Sequence, residues 1–148
     1  MDTHTNTPTD PGLVEGYAVF ELLAAGRAMP VTVRLSWRAS DPLAVEMTFR
    51  TGHTARRDVS WTLARELLAE GLHTPVGLAD VLVEPHPYDP DLIIVQLASD
   101  GGRALFRTDA WPIAEFLDRT YQQVRPGYES KALDLDAELE QLLERGLG

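Results

Sequence analysis

The chain has 148 residues, 44% of them apolar and 24% charged, which is ordinary for a globular protein and enough to bury one core. With 13 Lys and Arg against 23 Asp and Glu, the formal net charge is −10, which argues against non-specific capture of nucleic acid or anionic lipid, since both need positive potential. There is no cysteine, which removes disulfides, thiolate nucleophiles and cysteine metal sites and suits a reducing cytoplasm.

In chain order, residues 1–12 (MDTHTNTPTDPG) read as a flexible tail without the basic and apolar regions of a signal peptide, and residues 13–148 as a single domain. A first strand covers Val14 to Leu23, with a turn at Gly26. In the second, Val31, Val33, Leu35 and Trp37 alternate with Thr32, Arg34, Ser36 and Arg38, one face for the core and one for solvent. Ser40, Asp41 and Pro42 turn the chain, and Leu43, Val45, Met47 and Phe49 repeat the pattern. A turn begins at Thr51–His53, and a fourth strand runs from Arg57 to Trp61. Short turns between consecutive strands point to an antiparallel meander. Leu63, Leu67 and Leu68 then predict a helix over Thr62–Glu70, capped by the Thr62 hydroxyl. Gly71 would stop it in the left-handed conformation, with Leu72 folding back on Leu67. So short a helix is unstable in water alone and must lie on the sheet; Trp61 is placed to anchor it.

A fifth strand follows near Ala79–Glu84, then a loop with Pro87 and Pro90, and a sixth, centrally placed strand over Leu92–Leu97. The run Leu92–Ala98 is broken by Gln96 and too short to span a bilayer, so membrane insertion is not expected. Asp100, Gly101 and Gly102 make a hairpin to a seventh strand, Ala104–Arg107. A helix from Asp109 carries Pro112 in its first turn and a stripe of Ile113, Phe116, Leu117, Thr120, Tyr121 and Val124, with Trp111 off the stripe. A last helix opens at Asp134, with Leu135, Leu139, Leu142 and Leu143 in line. The fold class is therefore α+β, antiparallel β-meander sheets with packed helices in the order β-β-β-β-α-β-β-β-α-α.

Motifs for chemistry are absent. His4, His53, His73 and His86 lack a second ligand at metal-binding spacing. No GxSxG elbow or phosphate-cradling loop occurs. Asp80 and Glu84 fall on one face of the fifth strand, where solvated charge is the simpler reading than acid/base work. A hydrolase would need a pocket that gathers distant carboxylates or histidines. No catalytic residue, metal site or cofactor is expected. Between Arg27 and Asp58 there are six arginines and three acidic residues. Arg34, Arg38 and Arg50 on the polar sheet face could follow a phosphate backbone, but Trp37 and Phe49, the rings a single-strand platform would stack on bases, fall on the buried face. A solvated face or a subunit contact is favoured over nucleic acid.

The stretches DPLAVEMTFRTG (41–52) and VSWTLARELLAEGLHTPVGLADVLVEP (59–85) strongly resemble the SsgA/SsgB-like sporulation and cell-division regulators of actinomycetes. The likeness continues through Phe116-Leu117, Arg119-Thr120, Pro126-Gly127 with Glu129, and Leu135-Asp136 with Glu138-Leu139, covering the chain from about residue 13. Leu43 departs from the aromatic residue expected after Asp-Pro. The resemblance implies a whirly-like fold that forms homotrimers. It also implies a non-enzymatic cytoplasmic protein recruited to the division septum, whose partners are FtsZ and other family members. The outward side of the first helix (Arg65, Glu66, Glu70) and Trp111 are the candidate partner surface, with plain solvated charge the competing reading.

Overall fold

A computed structural model describes residues 12–51, 57–130 and 141–142. Its strands are β1 (Leu13–Ala24), β2 (Arg27–Arg38), β3 (Asp41–Thr51), β4 (Arg57–Ala64), β5 (Val76–Leu78), β6 (Val81–Pro85), β7 (Leu92–Ser99) and β8 (Gly102–Asp109), with helices α1 (Arg65–Gly71) and α2 (Ala110–Gln123). The strands form one antiparallel sheet in the order β4-β3-β2-β1-β8-β7-β6-β5. Each half of the chain is thus a four-stranded meander followed by a helix, and the halves meet where β1 pairs β8 over Phe20–Leu23 and Leu105–Thr108. The sheet curves into a half-barrel.

Period-2 patterning decides which face is filled. Val33, Leu35 and Trp37 of β2, Val45, Met47 and Phe49 of β3, Phe20 of β1 and Val83, Ile93, Val95 and Phe106 of the second half are all buried on the face that carries both helices. Phe20, Phe49 and Phe106 meet around the β1–β8 seam, with centroids 4.9–6.0 Å apart, so the two halves share one aromatic cluster. α2 lies across β1 at Gly16, where a Cβ would sit 3.0 Å from the Arg119 guanidinium and 3.3 Å from the Phe116 ring. Its expected stripe is the buried one: Ile113, Phe116, Leu117 and Thr120 are enclosed, with Tyr121 and Val124 packed at the margin.

Ala25 and Gly26 both take positive φ, +51° and +76°, and close the β1–β2 hairpin with the primed turn that matches strand twist. Asp100 and Gly101 close β7–β8 at the expected place. Several expectations need correcting. The predicted fifth strand is two: β5 and β6 form a tight hairpin through Ala79, at φ +55°, and Asp80. Asp80 therefore lies in a turn and is not on one strand face with Glu84. β7 is internal, as its apolar faces predicted, and lies between β8 and β6. Thr62 does not cap α1. It pairs with Glu46 inside β4, which runs on to Ala64 and passes straight into the helix with no side-chain cap. Gly71 is not left-handed either. It is the last residue of α1, and a Cβ there would lie 2.3 Å from Val83 Cγ1, so the glycine is required by close packing of helix on strand. Residues 129–130 and 141–142 are helical. The start of the last helix at Asp134 lies outside the described residues, as do the tail through residue 11 and the turn at 52–56.

Candidate interaction surfaces

The direct passage from β4 into α1 fixes Arg65 as the first helical residue. It falls three residues before Leu68 and seven before Leu72, hence on the same side of the helix. That side faces the core. Arg65 is 1% exposed, so its expected outward position on a partner surface is wrong. Its guanidinium carbon stands 5.3 Å from the ring centroid of Trp37 and 4.7 Å from that of Tyr121, a cation between two aromatic faces. Nη1 donates to Val124 O at 2.8 Å and to Thr120 Oγ1 at 3.3 Å, and Nη2 to Glu129 Oε2 at 2.9 Å. Glu129 Oε1 also accepts the Gly127 N–H at 2.8 Å, which ties down the turn after α2. Nε has no partner among the described residues. Burial pushes the Glu129 carboxyl upward, but the hydrogen bonds from Arg65, from its own N–H and from Gly127 outweigh it and hold the group below the usual carboxylate range. Arg65 is thus a hub joining β2, α1, α2 and the segment after α2. The relevant signal was present in the sequence: an arginine in register with the leucines of a short helix.

Glu66 and Glu70 are exposed on α1, four residues apart on one side, as expected. Trp111 stands at the start of α2, 70% exposed. It neighbours Pro112, which lines a shallow groove with Tyr17, Val19, Thr32, Thr108 and Asp109. The two glutamates lie on α1 and the tryptophan on α2.

On the opposite sheet face, Arg34, Arg50, Tyr17, Thr32, Thr48 and Asp58 surround a hollow of about 30 Å³. Arg34 is half-buried, and its Nε lacks a partner among the described residues. Arg38 stands apart, bordering a second hollow with Asp41 and Glu46. Glu46 pairs Ser36 and Asp58 pairs Arg50, so acidic groups interleave the arginines and no continuous basic stripe forms. Trp37 and Phe49 are buried as expected. Sequence reasoning missed Tyr17, which sits directly across from Arg34 and is 63% exposed. The mixed pattern of β1 hid its strand register.

The helices leave one end of the filled face open. An apolar cleft of about 720 Å³ there is lined by Leu22, Val31, Phe49, Val59, Trp61, Leu97 and Phe106, with Ser60, Ser99, Arg103 and Ala104 at its rim. Trp61, expected to anchor α1, is half-buried in this wall. Among the described residues no carboxylate or imidazole lines the cleft. Among the described residues no three His, Asp or Glu converge as metal ligands. His86 Nδ1 instead accepts the N–H groups of Tyr88 and Asp89 in a turn. No helix among them is long and apolar enough to cross a membrane.

The described arrangement recurs in known proteins. Residues 31–129 match the family model "Streptomyces sporulation and cell division protein, SsgA". The sporulation-specific cell division protein SsgB of Saccharopolyspora erythraea is 43% identical over 131 residues, 88% of this chain and 92% of that one. A crystal structure of an SsgA-like sporulation-specific cell division protein from Thermobifida fusca superposes with TM-score 0.80 at 31% identity, covering 91% of this chain and 98% of the other. A structure reported with mutations in SsgB that correlate to longitudinal cell division during sporulation of Streptomyces coelicolor superposes with TM-score 0.74 at 35% identity, covering 88% and 99%.

Proposed function

Because this chain belongs to the SsgA family of sporulation and cell division proteins, we propose that it is a non-enzymatic adaptor of sporulation-specific division. In this reading it is a cytoplasmic protein drawn to the septum. There it helps localise FtsZ or promotes its assembly, together with other family members. The observation that carries the reading is the likeness to SsgB over nearly the whole length of both chains. The cleft adds support, since its described lining offers a largely apolar surface for contact. The two meander-and-helix halves are compatible with a whirly-like fold, and we read the protein as a homotrimer, in which weak sites act together through raised effective concentration. The partner surface is narrowed to Glu66 and Glu70 on α1 and to Trp111, because Arg65 is enclosed.

The test is co-sedimentation of the full chain with FtsZ polymers. The wild type is expected to pellet with the polymers and to increase their yield. The double variant Glu66→Lys, Glu70→Lys, or Trp111→Ala, is expected to weaken this with unchanged circular dichroism. No binding by the wild type would overturn the adaptor reading. Binding unaffected by all three substitutions would overturn only the surface. One observation favours a second reading: Tyr17 gives the arginine face an exposed ring beside Arg34. A single-strand nucleic-acid site of Arg34, Arg38 and Arg50 with Tyr17 would bind a labelled single-stranded oligonucleotide at low salt and release it steeply as salt rises. No shift at low salt would dispose of it.

A further inference from the structure

The walls of the apolar cleft of about 720 Å³ are the wrong chemistry for water. Val31, Phe49, Val59, Trp61, Leu97 and Phe106 present aliphatic and aromatic groups, and among the described residues the one charged member of the lining is Arg103. In a chain of net charge −10, the described lining of this cleft brings a cation and no carboxylate. The same chain carries an element of complementary chemistry. Residues 128–148 hold six acidic and two basic side chains, a net −4, and Leu135, Leu139, Leu142 and Leu143 recur at helical spacing. Leu142 is helical and 62% exposed, and it is not among the residues lining the cleft. An exposed Leu142 and an apolar cleft open to water in one molecule are both unfavourable, at roughly 25 cal/mol for each Å² of apolar surface left exposed.

We infer that the cleft between β4 and the β7–β8 hairpin receives the acidic, leucine-striped C-terminal segment of a second copy of this chain. The leucines enter between Trp61, Val59 and Phe106 in the manner of a helix in a groove, and Arg103 faces the acidic side of the incoming segment. Donor and acceptor surfaces differ, so the contact is head-to-tail, and repeated around an axis it closes a ring. The inference rests on the self-association proposed above and gives it a surface.

The experiment uses the full chain and two variants: Val59→Asp, which spoils the cleft, and Leu142→Asp, which spoils the stripe. Both positions are exposed in the single chain, so both variants should keep the wild-type circular dichroism. Mass is measured by light scattering across a concentration series. The wild type is expected to assemble and each variant to be monomeric. Mixing the two variants should restore a 1:1 heterodimer, because one retains a stripe and the other a cleft; a merely misfolded variant could not do this. Assembly of either variant like the wild type, or no heterodimer on mixing, overturns the cleft as the contact while leaving self-association standing. A wild type that stays monomeric throughout overturns both.

Discussion

Two residues carry consequences that composition conceals. Gly71 ends α1 under Val83, where a Cβ would have 2.3 Å to the Val83 Cγ1 atom and 3.1 Å to the Val83 carbonyl. On an exposed helix Gly→Ala gains up to about 1 kcal/mol. Here the overlap falls partly on backbone, and overpacking at about 1–3 kcal/mol wins. Gly71→Ala is expected to lower the denaturant midpoint, measured by urea unfolding. At the Arg65 hub, Glu129→Gln leaves a cation at 1% exposure without its counter-charge, expected to cost about 2–3 kcal/mol at neutral pH. Because the Glu129 carboxyl is held below its ordinary 4.5, its contribution is fully present above that pH and disappears as acid carries the solution down through the depressed value. The stability gap between wild type and Glu129→Gln should therefore narrow below pH 4.5, and a gap that stays constant into acid would contradict the pairing. Neither role was legible as such. The glycine spacing located the helix end but not the cause, and a charged side chain at the start of a helix reads as solvated unless its register with Leu68 and Leu72 is given precedence.

Elements were legible where one periodicity ruled. β2, β3 and α2 bury the residues their patterns select, and the Asp100–Gly101 turn joins the strands it was expected to join. Elements blurred where the backbone turned without glycine or proline, as at Ala79, whose φ of +55° splits one expected strand into two. α1 begins three residues later than expected, since Thr62 looks like a cap and lies instead in the ladder with Glu46. The true N-cap, Ala64, has the extended conformation a cap requires (φ −68°, ψ 136°) but no side-chain oxygen, and it is exposed. Ala64→Ser is expected to raise stability by about 0.5–1 kcal/mol, read as a higher melting temperature. No change would mean that β4 pairing, and not the helix terminus, sets the conformation there.

For the whole molecule, the meander of the first half was readable from its short turns, but the order of all eight strands was not. Nothing in the local pattern of β1 says that its free edge meets β8, some 85 residues later, and the aromatic trio that seals this contact is contributed by strands from both halves. Family resemblance located the central block, yet left the sheet faces and the cleft to be found in three dimensions. The β1–β8 seam has a consequence for how the molecule is made. Hairpin neighbours zip locally and early, whereas this union must wait for a long loop to close. During synthesis the first meander leaves the ribosome with Phe20 bare and an unpaired edge on β1, and it stays vulnerable to joining the wrong strand until residues 105–108 arrive to occupy that edge.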